Sequence, residues 1–70
     1  MKIKQILIND YGTYESSILT PSKEEFAEMI RISVDYYKSH FEMWNDSGFI
    51  IFSPELLRRS ILKIEIIEDE

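Results

Sequence analysis

Any chemistry in a chain this small must come from a few titratable side chains, and the densest set is acidic: Glu24, Glu25 and Glu28. Three carboxylates so close together raise the question of a divalent-ion site. Oxygen-only calcium and magnesium sites need a loop that folds several oxygens around one point. These glutamates instead stand where a helix would begin, and there the helix dipole favours negative charge. A second candidate, Asn45-Asp46-Ser47-Gly48, carries some residues of a calcium loop. It lacks the alternating Asp/Asn run and the closing Glu such a loop requires. A hairpin turn accounts for it better, and no metal is expected at either place.

His40 is the one side chain whose ordinary pKa lies near neutrality. Ser39, Ser47, Ser53 and Ser60 offer hydroxyls as nucleophiles, but no Gly-x-Ser-x-Gly elbow exists. In the last turn of a helix, His40 is explained by the negative end of the dipole. Gly12 and Gly48 are too far apart to cradle a phosphate, which excludes P-loop nucleotide hydrolysis. The chain has no cysteine, hence neither a disulfide nor a thiolate metal site. The expectation is a protein that is not an enzyme and holds no cofactor.

Binding remains. The net charge of −5, from 13 acidic and 8 basic residues, disfavours nucleic acid, whose affinity is carried by Lys and Arg. Arg58, Arg59 and Lys63, joined by Lys2 and Lys4 if the terminal strands are neighbours, would form one positive edge. With an aromatic such as Trp44 nearby, that edge is the alternative reading, a nucleic-acid or nucleotide binder. Ordinary charge balance with nearby glutamates explains it more simply. Aromatic and apolar positions are more telling. Tyr36 and Tyr37 cannot face the same way, because helix neighbours point about 100° apart. Tyr37 belongs to a core stripe of Phe26, Ile30, Val34, Tyr37 and Phe41. Tyr36 then falls with Met29 and Ile32 on a second stripe beside it. That second stripe either widens the cover over a sheet or forms a partner surface, for which Met and Tyr are both suited. The expected partner-binding residues are therefore Met29, Ile32 and Tyr36, with the acidic helix start Glu24, Glu25 and Glu28.

The elements that must position these residues read off in order. Residues 2–8 are rich in isoleucine and form a strand, residues 10–13 a turn, and residues 14–19 a returning strand weakened by Ser16-Ser17. Thr20-Pro21 supplies one N-cap signal and Ser22-x-x-Glu25 an alternative capping box. The apolar spacing then predicts a helix over residues 21–39. Residues 41–44 and 49–52 make a hairpin across the Asn-Asp-Ser-Gly turn. Ser53-Pro54 repeats the cap-then-proline signal and opens a short helix. In the last strand, residues 61–67, Leu62, Ile64 and Ile66 point one way and Lys63 and Glu65 the other; residues 68–70 are a frayed acidic tail. The run at 49–52 is wholly apolar, so it is either central in the sheet or the seam of a homodimer.

Seventy residues make one domain, residues 1–70. The fold class is α+β: one long helix packed on a small, largely antiparallel sheet in the order β-β-α-β-β-short α-β. A chain this short is marginal without reinforcement. Its 44% hydrophobic and 13% aromatic content must supply the core, helped by a homodimer if one forms. The basic-then-apolar start has too short an apolar run for a signal peptide, and nothing approaches a membrane span. With no cysteine either, the location expected is cytoplasmic.

The stretch Gly48-Phe-Ile-Ile-Phe-Ser-Pro-Glu-Leu-Leu-Arg-Arg-Ser-Ile-Leu-Lys-Ile-Glu-Ile resembles a pattern in small uncharacterised accessory proteins of Gram-positive bacteria and their phages. There, a strand runs into a Pro-Glu-Leu turn and then a Ser-Ile-x-x-Ile-Glu strand. The resemblance spans about a quarter of the chain and transfers no site residue. It implies a regulator or inhibitor that acts by occluding a larger protein.

Overall fold

The computed structural model describes residues 1–38 and 41–69, and of Tyr36 the backbone. His40 thus lies outside the described residues. The chain is α+β, in the order β1 (Lys2–Asn9), β2 (Gly12–Glu15), α1 (Lys23–Ser33), β3 (Phe41–Asn45), β4 (Gly48–Phe52), α2 (Pro54–Leu57) and β5 (Ile61–Glu68). A 3-10 turn, Tyr36–Lys38, lies between α1 and β3. All strand pairing is antiparallel.

Both hairpins turn by one device. In Asn9-Asp10-Tyr11-Gly12 the Asn9 Oδ1 accepts from the Tyr11 N–H at 2.8 Å, and in Asn45-Asp46-Ser47-Gly48 the Asn45 Oδ1 accepts from the Ser47 N–H at 2.9 Å. The closing glycines take φ of +143° and +139°, which favours a residue without a Cβ. The turn at residues 45–48 is therefore closed by the Asn45 side chain on its own backbone, as an Asx turn is.

Among the described residues the strands form two sheets. β2, β1 and β5 make a three-stranded sheet with β1 in the middle, and β3 and β4 make a separate two-stranded one. The break lies at Ser16-Ser17. There the Gln5 N–H donates to the Ser16 hydroxyl at 2.9 Å instead of to a carbonyl, and only Leu19 returns to pair with Ile3. This segment still bridges the sheets, since the Ser17 N–H donates to the Trp44 carbonyl at 2.9 Å.

The core sits between the sheets. Leu7, Met43, Phe52 and Leu57 are buried together, with Tyr14, Phe41, Ile50, Leu56 and Leu62 packed against them. Tyr14 and Leu62 are the cross-strand partners of Leu7, so one face of the three-stranded sheet meets one face of the hairpin. The Tyr14 and Phe52 rings meet edge to face at 5.2 Å, a favoured aromatic geometry. On the opposite face Ile6 is buried, flanked by its cross-strand partners Lys63 and Glu15.

Several sequence expectations change. The long helix of residues 21–39 is an eleven-residue helix, Lys23–Ser33. Beyond it Val34, Asp35, Tyr36 and Tyr37 are all weak helix formers. The Asp35 N–H bonds to the Ile32 carbonyl at 3.1 Å and tightens the chain into the 3-10 turn. Of the two cap signals Ser22 prevails: its hydroxyl accepts from the Glu25 N–H at 3.1 Å and its own N–H donates to Glu25 Oε1 at 3.0 Å. No residue of α1 is buried. The half-buried positions Phe26, Met29 and Ser33 lie on one face, while Ile30, Val34 and Tyr37 of the expected core stripe are exposed. Strand β4 is not central, and Phe49 and Ile51 face outward. Glu68, expected in the tail, pairs with Lys2 in the sheet, their charged ends 3.3 Å apart.

Candidate functional site

Alternation along β1 puts Gln5 on the same face as the buried Ile3 and Leu7, and α1 lies beside it. Between them is a groove of roughly 560 Å3. Gln5 contributes from the sheet, Met29 and Ile32 form an apolar wall with Ser33 beside it, and Glu24, Glu25 and Glu28 stand along the rim. Five of the six residues expected to bind a partner thus converge on one concavity. The sixth, Tyr36, has its side chain outside the described residues.

The convergence follows from helix geometry. Residues 25, 28, 29 and 32 are spaced three, one and three, which places them on one side of a 3.6-residue helix. Met29 is half-buried against the fold and Ile32 is 59% exposed, so the wall runs from covered to open along its height.

The three carboxylates differ in their engagement. Glu25 closes the capping box, and hydrogen bonds from the Ser22 backbone, then from its side chain, hold its carboxyl below the ordinary carboxylate value. Glu28 is held down by its hydrogen bonds from Arg31, a two-pronged pair with Nε donating to Oε2 at 3.0 Å and Nη2 to Oε1. Arg31 is pushed up in turn by the same contact. Glu24 takes part in no hydrogen bond or ion pair among the described residues. Glu25 and Glu28 therefore keep their negative charge across the neutral range. Each engaged carboxylate is satisfied within the helix, and among the described residues no group of three or more His, Cys, Asp or Glu is arranged to hold a metal ion.

The basic residues do not gather into one edge. The two terminal strands are neighbours, as that reading required, but their charges interleave. Lys4 pairs with Glu15 at 3.5 Å, Lys63 with Glu65 at 3.6 Å and Arg59 with Asp10 at 4.0 Å. Trp44 lies on the outward face of the β3–β4 hairpin, its ring 4.3 Å from that of Phe49.

Two features went unread in the sequence. Asn9 plays the part of Asn45, and the repeated Asn-Asp-x-Gly tetrad was the available signal. Trp44, Phe49 and Ile51 form an outward apolar face on the hairpin, legible only once the pairing of Glu42 with Ile51 and of Trp44 with Phe49 is known.

Compared with known proteins, the chain matches no family model, no curated protein and no solved structure. Among the described residues, no helix is long and apolar enough to cross a membrane.

Proposed function

We propose that this protein is a small acidic interaction module, a regulator or inhibitor that works by binding a larger protein and not by catalysis. The binding surface is the groove beside α1. The observation that carries this reading is the apolar wall of Met29 and Ile32 beneath an acidic rim, on a helix that buries none of its residues in the fold. Its chemistry suits a partner segment with one or two apolar side chains flanked by Lys or Arg. The apolar anchor supplies affinity, while the glutamates steer approach and fix orientation. A cytoplasmic setting and a phage or mobile-element origin, acting on a host protein, complete the proposal; the latter rests on the resemblance of the C-terminal stretch. The alternative, a nucleic-acid binder using Arg58, Arg59 and Lys63, is less favoured because two of those three side chains face carboxylates.

The test is Ile32→Lys. Affinity capture from host cytosol by the immobilised protein should retain a partner that Ile32→Lys fails to retain and that elutes as salt rises. The thermal midpoint should stay nearly unchanged, because Ile32 is already exposed. An unchanged set of captured proteins, or an unfolded variant, would sink the reading.

A further inference from the structure

The three-stranded sheet ends on β5, whose second edge pairs with no strand among the described residues. It is a long edge, Ile61–Glu68, without proline and with Ile61, Ile66 and Ile67 exposed. Such an edge is a template for another strand. Small proteins commonly guard it with charge, and β5 does carry charges on its solvent face, at Lys63 and Glu65. These two, however, are of opposite sign and symmetric about Ile64. Reading outward from Ile64 in both directions gives Lys63 and Glu65, then Leu62 and Ile66, then Ile61 and Ile67.

We infer that β5 pairs antiparallel with β5 of a second copy of this chain, about a twofold axis at Ile64. In this register Lys63 of each copy lies directly opposite Glu65 of the other, so two ion pairs form across the seam. Leu62 meets Ile66 and Ile64 meets itself on the opposite face. The neighbouring in-phase registers are worse. A twofold at residue 63 sets lysine against lysine, and one at residue 65 sets glutamate against glutamate; like charges directly opposite are destabilising. Half-step registers oppose Lys63 to Ile64 and Leu62 to Glu65. Charge therefore selects one alignment, which β4 cannot do, since residues 48–52 carry none. The product is a six-stranded sheet in the order β2-β1-β5-β5-β1-β2. It covers exposed isoleucines that a 70-residue fold leaves outside, and it supplies the reinforcement such a small core lacks.

The experiment is sedimentation equilibrium on charge-swapped chains. Wild type should be dimeric. Lys63→Glu alone and Glu65→Lys alone should each weaken the dimer by about tenfold or more. The two single variants mixed in equal amounts should recover it as a heterodimer, and the double swap should recover the homodimer. A monomeric wild type overturns the inference, and so does a dimer indifferent to the swaps, which would place the contact elsewhere, such as on β4. Amide exchange in the wild type reads the same contact without any variant. Amides of residues 61–67 that face away from β1 should become protected as concentration rises, and concentration-independent exchange there counts against the pairing.

Discussion

Around Leu57, side chains from β1, β3, β4 and α2 close on one another; along α1, residues of the same kinds lie open. Leu7, Met43 and Leu57 are wholly buried, whereas on or just after α1 Ile32 and Val34 are 59% and 69% exposed. Methionine, isoleucine and aromatic residues occur in both regions, so composition does not separate them. What differs is the number of elements that meet. The core is enclosed by strands from both sheets and by a helix turn. The α1 helix leans on one side only and is held at its ends by its own caps. One region owes its order to tertiary packing, the other to local hydrogen bonds, and the second leaves Ile32 and Val34 open to solvent.

That contrast can be broken most forcefully at its buried pole. Leu57→Ala should cost about 2–5 kcal/mol, the range for emptying a fully enclosed aliphatic site, and denaturant unfolding would measure it. A loss no larger than that of a surface change would mean that the core is not closed. Ser22→Ala removes the N-cap of α1 and should cost about 1 kcal/mol. Far-UV circular dichroism should show helix content lost ahead of the tryptophan fluorescence change; coincident loss would show α1 to be as tightly coupled as the core. Ile32→Lys should change stability by less than about 0.5 kcal/mol, as surface substitutions do. The smallest expected effect is that of pH. Glu28 is depressed in the folded chain by Arg31, so its contribution is present in full above the ordinary carboxylate range and fades as pH falls through its lowered value. The margin in thermal midpoint of wild type over Glu28→Gln should therefore be present at neutral pH and vanish on acidification. A margin that grows on acidification would reverse the sign of the linkage.

Local chemistry was legible in the residues; enclosure was not. The order of elements, the glycines with positive φ, the Ser53-Pro54 cap and the alternation of Leu62, Lys63, Ile64 and Glu65 all depend on neighbours in sequence, and all are present. The end of α1 was misplaced because apolar spacing continues through Val34 and Tyr37 after helix propensity has failed. Four apolar residues in a row at β4 fit a strand that is either covered on both faces in a sheet or the seam of a homodimer; the central place is not taken, and half of the four look outward. The six residues of the candidate site were named from helical spacing and charge, yet the concavity that gathers five of them needs Gln5, which no periodicity in α1 could have indicated.

The repeated Asn-Asp-x-Gly turn has a consequence for the order of assembly. Each tetrad fixes the register of its hairpin with residues that are adjacent in the chain, so the β1–β2 and β3–β4 ladders close over short loops. The β1–β5 ladder, by contrast, joins Ile8 to Ile61 and Lys2 to Glu68, and loop-closure entropy opposes it most. Two hairpins form as local units and β5 is the strand that waits. Until it arrives, the central strand of the sheet is itself an edge.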